Sequence, residues 1–188
     1  MKFHFKTFIF TFFFLWGFLF SLSCSRSKSS DSKQPDTLDK QMRREGFREK
    51  IEGKVIRIAD GDSFTLLTPD KQQIRVRLLG IDAPERGQKY YRKSRKLLAD
   101  LIFRRQIRVY YDEMDRYGRI LGIAFVDTLR VNDEMVRRGL AWQYRYSEDE
   151  ILRKLEEEAR EKRIGLWKDS ATDPWEWRKR QRELEENF

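Results

Sequence analysis

Between residues 51 and 127 apolar positions come in short runs, separated by pairs of residues that favour turns. The stretch "EGKVIRIADGDSFTLLTPDKQQIRVRLLGID" is rich in β-branched and apolar residues and is interrupted at Asp60-Gly61 and Pro69-Asp70. That pattern predicts three strands, over 51–59, 63–68 and 72–81. Pro84 has no N–H and forces Ala83 into an extended conformation, so the third strand is expected to end at Asp82. Tyr91, Ser94, Leu97, Leu98, Leu101 and Ile102 then fall at helical spacing, which predicts a helix over 88–103. "QIRVYYDEMD" and "GRILGIAFVD" read as two more strands joined by a turn at Asp115-Arg116-Tyr117-Gly118. Val131–Arg138 suits a short helix ended by Gly139. A last helix is expected to be capped by Ser147 with Glu150 three residues on, to bury Ile151, Leu152, Leu155 and Ala159, and to close at Gly165. Five strands with a helix after the third is the order of an OB-fold barrel, so the expected class is α+β, a five-stranded barrel with three helices.

The first residues follow a different pattern. "MKFHFKTFIFTFFFLWGFLFSLSC" has Lys2 and Lys6, an apolar run from Phe8 to Leu22, small residues and then Cys24. A basic start, an apolar middle and small residues at a cut site form an export signal over 1–23. The run is also only slightly short of a membrane span, so an uncleaved anchor stays open beside it. The lone Cys24, where the apolar run stops, resembles the lipid-attachment site of bacterial lipoproteins. The usual box has Leu three residues before the cysteine; here Ser21 stands there, with Leu22 next to it. Lipid attachment at Cys24 and simple secretion both remain open. Residues 24–45, including "SRSKSSDSKQPDTLDKQ", have little to bury and read as a flexible polar tether. The folded domain is expected over 46–168 and a Trp/Arg-rich tail over 169–188, docking through Trp175 and Trp177 or extending a binding surface.

Two absences narrow the chemistry. His4, the only histidine, lies in the export segment, and Cys24, the only cysteine, stands at its end. The domain therefore has no histidine for acid–base work, no His/Cys zinc site, no cysteine nucleophile and no disulfide. Any enzyme here must use Asp, Glu, Arg, Lys, Tyr or Ser, and any metal must be a hard ion held by oxygens. Removing Lys2 and Lys6 from the 40 basic residues leaves 38 against 31 acidic ones, about +7 net, which favours polyanionic partners.

Three separated segments carry polar residues that turn formation explains poorly as a set: "ADGDS", "RLLGIDAPE" and "DRYGR". Singly, each residue has an ordinary reading. An Asp can cap its turn, Arg77 can cover a sheet face, and Arg119 can pair with Asp115. Together, from about Val55 to Trp167, the segments resemble the staphylococcal nuclease family of calcium-dependent phosphodiesterases. The resemblance implies calcium carboxylates at Asp62 and Asp82 and a backbone carbonyl ligand at Ala83, where the family's best-known member has Thr. It implies a catalytic Glu85 and catalytic Arg77 and Arg119. Arg116, in place of the commoner Lys, and Tyr117 fall where the family contacts a nucleotide phosphate. Tyr144 and Tyr146 align with a tyrosine pair beside the nucleotide, given a one-residue deletion after Leu140.

These residue types suit phosphodiester hydrolysis on chemical grounds as well. Charge gathers on the phosphoryl oxygens in the transition state, and two guanidinium forks can meet it. A carboxylate can take a proton from water or position it. The expectation is a low-specificity, calcium-dependent nuclease acting on DNA and RNA, monomeric, exported and held at a membrane. The alternative is a non-catalytic nucleic-acid-binding module on the same barrel. Binding alone would need the basic and aromatic residues but not Asp62, Asp82 and Glu85 together.

Overall fold

The computed structural model describes residues 37–169 and 171–187, which belong to one compact unit. The export signal, Cys24 and the first part of the tether lie outside the described residues. Strands β1 (Glu49–Ile58), β2 (Ser63–Leu67), β3 (Gln73–Leu78), β5 (Gln106–Met114) and β6 (Ile120–Val126) form the barrel. They run in the order β3-β2-β1-β5-β6, antiparallel at each step, and a parallel β3–β6 pairing closes the ring. This is the expected five-stranded mixed barrel. A short β7 (Leu129–Arg130) extends β6, and β4 (Ile81–Asp82) pairs separately with β8 (Trp142–Gln143). The α-helices are α1 (Thr37–Arg44), α2 (Tyr91–Ile102), α3 (Val131–Arg137), α4 (Glu150–Glu161) and α5 (Pro174–Glu186).

Alternation along the strands sends Val55, Phe64, Leu66, Val76, Leu78, Val109 and Ile120 inward. Leu98 and Ile102 of α2, Met135 of α3 and Leu152 of α4 complete the same core. Asn132 pins the barrel to α3 from inside. Its side-chain oxygen accepts the Ala124 amide at 3.0 Å, and its Nδ2 donates to the Leu79 carbonyl at 2.8 Å and the Gly122 carbonyl at 3.3 Å.

Several expectations need correction. The strand expected over 72–81 is two elements. The chain leaves the barrel after Leu78, turns at Gly80 with φ 76°, and resumes as β4. Only that break lets Ile81-Asp82 pair with β8. The polar tether ends sooner than expected, because residues 37–44 form α1. Leu38 and Met42, four apart, give α1 an apolar stripe that overall composition masks. Met42 is buried against Tyr110, Ile123 and Phe125, on barrel strands β5 and β6, and Asp39 accepts a hydrogen bond from the Tyr110 hydroxyl at 2.5 Å. The tail contains α5, so five helices stand where three were expected. Finally, α4 is capped by Asp149, whose carboxylate accepts the Ile151 and Leu152 amides; Ser147 only accepts the Asp149 amide. An ionised carboxylate at the helix start serves better than the hydroxyl two residues upstream.

The Asn132→Ala variant removes three hydrogen bonds to backbone groups, of which the Gly122 carbonyl keeps the Leu79 amide as a partner. It is expected to lose about 2–3 kcal/mol in urea denaturation, against a few tenths for an exposed control such as Arg137→Ala.

Candidate active site

The turn from β1 to β2 carries Asp60, Gly61 and Asp62, and β2 opens on Ser63. Antiparallel pairing of β2 with β3 sets Ser63 opposite Arg77, and the Asp62 carbonyl accepts the Leu78 amide at 2.8 Å. Register thus brings Asp62 and Arg77 together. Gly61 permits the approach of this turn to α2, since a Cβ there would sit 1.9 Å from Ser94 Oγ. β4 sets Asp82 opposite Trp142 of β8. After Pro84 the chain turns at Glu85, and Gln88 locks that turn. The Gln88 amide donates to the Glu85 carbonyl at 2.9 Å, and the Gln88 side-chain oxygen accepts the Glu85 amide at 2.6 Å.

A chain of alternating charge results. Arg77 Nη1 lies 2.9 Å from Asp62 Oδ2, and its Nη2 lies 2.9 Å from Asp82 Oδ1. Asp62 Oδ2 also accepts the Ala83 amide at 3.1 Å, and its Oδ1 accepts the Ser63 hydroxyl at 2.7 Å. That hydroxyl in turn accepts Arg119 Nη1 at 3.4 Å. At the other end Arg178 of α5 reaches in. Its Nη2 is 2.8 Å from Asp82 Oδ2, and its Nη1 is 2.6 Å from Glu85 Oε1 and 3.3 Å from Asp82 Oδ1.

The Asp62 and Asp82 side chains are only 4% and 1% exposed. Removing a carboxylate from water costs several kcal/mol even after relaxation, so each depends on its guanidinium partners. Burial opposes charge on Arg77, but the Asp62 and Asp82 carboxylates outweigh it and raise its pKa. Asp60 shows a surplus of negative charge. Burial, then the neighbouring Asp62 carboxylate, push it up to about 7.

Among the described residues no group of three or more His, Cys, Asp or Glu is arranged to hold a metal ion. The groups that do converge are oxygens, Asp62 and Asp82 foremost, beside an Asp60 that lacks a compensating charge. That donor set fits a hard divalent ion that keeps several waters, and fits no softer metal.

Four sequence-predicted residues therefore meet: Arg77, Asp62, Asp82 and Glu85. Ala83 joins them through its amide. Arg119 is held mainly by Asp115, with Nε and Nη2 at 2.8 and 2.7 Å from Asp115 Oδ2, and touches the cluster only through Ser63. Arg116 and Tyr117 lie on the same β5–β6 turn, where Arg116 donates to the Tyr117 hydroxyl at 2.7 Å and the ring is exposed. Tyr144 and Tyr146 form an edge-on pair, ring centroids 5.5 Å apart, on the loop leaving β8 rather than along a strand. The Tyr144 amide donates to the Gly80 carbonyl at 2.8 Å, which ties that loop to the chain just before Asp82. A cavity of about 1040 Å³ opens beside Ala59 and Arg86, neighbours of Asp60 and Glu85, and is lined further by Tyr90, Tyr91, Arg92 and Lys93.

Ser63, Gln88 and Arg178 were not singled out from sequence. Ser63 was legible as the last letter of "DGDS". Gln88 gave no signal. Arg178 stood in the run Arg178-Lys179-Arg180, with nothing local to say that one of the three turns inward.

The chain matches the family model described as staphylococcal nuclease homologue over residues 75–169. It is 44% identical over 144 residues to "Protein ParB" of Escherichia coli, covering 69% of this chain and 80% of the relative. It is 44% identical over 140 residues to "Micrococcal nuclease" of Shigella flexneri, covering 68% and 80%. It is 41% identical over 137 residues to an "Uncharacterized endonuclease" of Haemophilus influenzae, covering 72% and 77%.

Because Arg77 serves two buried carboxylates at once, Arg77→Ala is expected to lose about 3–5 kcal/mol in urea denaturation without added metal. Arg77→Lys should recover only part of that loss, since one ammonium lacks the planar fork that spans both aspartates.

Proposed function

The chain belongs to the staphylococcal nuclease family, and from that premise we propose that it is a calcium-dependent nuclease that cleaves phosphodiester bonds of DNA and RNA with low sequence specificity. The observation that carries the reading is the convergence of Asp62, Asp82, Glu85 and Arg77 from the β1–β2 turn, β4, the turn that follows β4, and β3. Asp62 and Asp82 would hold the calcium ion, with the Ala83 carbonyl and water completing its shell. The ion, when bound, would supply positive charge at the phosphate and a site for water.

The chain's own residues do the rest. Arg77 and Arg119 present guanidinium forks to the phosphoryl oxygens, where charge grows in the transition state. Asp115 holds the Arg119 fork in a fixed direction through two of its nitrogens, which lowers the cost of orienting it when substrate arrives. Glu85, at the mouth of the cluster, takes the proton from the attacking water. Arg116 and Tyr117 engage an adjacent phosphate, and Tyr144 and Tyr146 offer ring faces to bases. The basic, aromatic walls of the cavity beside Arg86 give the strand a further path. Backbone contacts of this kind carry little sequence preference and weaken steeply with salt. The N-terminal pattern supports export, with a lipid on Cys24 holding a monomeric enzyme at a membrane.

The purified chain is expected to degrade single-stranded DNA when Ca²⁺ is added and to stop on chelation. Arg119→Ala should lower the rate about 10²–10³-fold, and Glu85→Gln should lose most activity at unchanged fold, as read by circular dichroism. A folded protein that binds single-stranded DNA but shows no Ca²⁺-dependent cleavage would establish the binding-module reading instead. Cys24→Ala should move the chain from the membrane pellet to the soluble fraction after ultracentrifugation; an unchanged pellet would refute the lipid anchor.

A further inference from the structure

The family model ends at residue 169, yet the cluster of acids is completed from beyond it, by α5. Besides Arg178, two contacts hold that helix over the site. Gln88, which locks the Glu85 turn, donates its Nε2 to the Thr172 carbonyl at 3.0 Å. The Trp177 ring approaches Gly87, where an added Cβ would sit 3.4 Å from it. Asp173 caps α5, accepting the Glu176 amide, and the following Pro174 is its one buried residue among those described. From Lys179 on, the described residues of α5 are exposed. The helix is thus seated by one end, where Pro174 is buried and Trp175 and Trp177 are half-buried, and the turns beyond it are exposed. Segments with few buried contacts open locally at small free-energy cost.

What Arg178 touches gives that weak seat a meaning. Its guanidinium meets both oxygens of Asp82 and one of Glu85. Arg77 takes the other approach to Asp82 Oδ1. With both guanidiniums in place, each Asp82 oxygen already faces a cationic nitrogen, so a metal ion would have to bind against that charge, and Arg178 sets the same positive charge against the Glu85 oxygen it engages, which disfavours proton uptake there. Burial disfavours charge on Arg178, but hydrogen bonds from it to Asp82 and Glu85 outweigh this and raise its pKa, so it stays cationic at any working pH.

We propose that Arg178 is a tethered cation that competes with the divalent ion for Asp82 and covers Glu85, so that α5 must lift for the enzyme to become active. The proposal rests on the calcium-dependent reading above. Its arithmetic is that of a minor competent state. If the latch is open only about 1–10% of the time, apparent calcium affinity falls about 10- to 100-fold below that of the open site. Calcium and Arg178 then act as opposing ligands of Asp82, and the calcium concentration at which cleavage begins is set by α5.

Calcium titration of the full chain by calorimetry tests this, with hydrogen exchange of α5 as a second measurement that needs no variant. Arg178→Ala is expected to bind Ca²⁺ at least tenfold more tightly than the unaltered chain, and to begin cleaving at correspondingly lower Ca²⁺. In the unaltered chain, saturating Ca²⁺ should speed exchange of the amides in α5 while those of the barrel strands stay protected. Equal affinity in the two proteins, or an α5 whose protection is the same with and without bound Ca²⁺, would overturn the latch while leaving the calcium reading intact. Absence of calcium binding to both proteins would instead refute the calcium reading, and the competition with it.

Discussion

Two carboxylates out of reach of water must be neutralised where they stand, and the site is organised by that requirement. Asp62 leaves the β1–β2 turn and Asp82 sits on β4, outside the barrel's hydrogen-bonded ring. Arg77 spans them, one nitrogen to each. It therefore joins the two sheets by charge where no backbone ladder does. The Ala83 amide adds a second tie between the same segments. Lose the guanidinium and Asp62 is stranded, while Asp82 is left to Arg178 alone. The site's chemistry and the fold's integrity thus draw on one residue, and mutagenesis at Arg77 has to separate them by reading stability as well as rate.

The same cluster explains why the barrel is closed the way it is. A parallel β3–β6 pairing sets Arg77 beside Leu121, two residues from Arg119. Arg119 itself ends a turn built by Asp115, whose carboxylate accepts the Tyr117 and Arg119 amides while also gripping the Arg119 side chain. The pairing of Arg119 with Asp115, the ordinary reading of that residue, is therefore present, and it is compatible with the proposed role at phosphate: the ion pair fixes the direction in which the remaining nitrogen faces Ser63 and the acid cluster.

What could be read from the chain follows from the range of each interaction. Strand alternation, turn pairs at Asp60-Gly61 and Pro69-Asp70, and helical spacing from Tyr91 to Ile102 are local, and the barrel order came out of them. The acids and arginines are legible through a resemblance carried by three short segments, and their roles are what that resemblance implies. The break at Leu79-Gly80 was hidden because its cause is remote: β4 leaves the ring to pair with β8, more than fifty residues on. α1 was hidden because two apolar residues among many charged ones suffice once Tyr110, Ile123 and Phe125 wait on the barrel's outer face. Gln88 and Arg178 act across the longest separations of all, Arg178 reaching carboxylates ninety-six and ninety-three positions away, and nothing in their own neighbourhoods marks them.

Charge balance ties these threads together. Without α5, Arg77 alone would face Asp62, Asp82 and Glu85, with Asp60 beside them, its pKa pushed up by burial and by the Asp62 carboxylate. Such a cluster draws in whatever cation can reach it. A free ion must be bound from solution, at a concentration the surroundings set, whereas Arg178 is supplied by the chain at a local concentration fixed by the short segment joining the 3₁₀ turn Gly165–Lys168 to α5. Under the proposed competition, the ion requirement would be a property of the barrel and its C-terminal helix jointly. On the same premise, two chains with the same barrel but different sequence after residue 169 would share every acid and arginine of the barrel and still differ in how much metal they need, because the competing charge comes from outside the barrel they share.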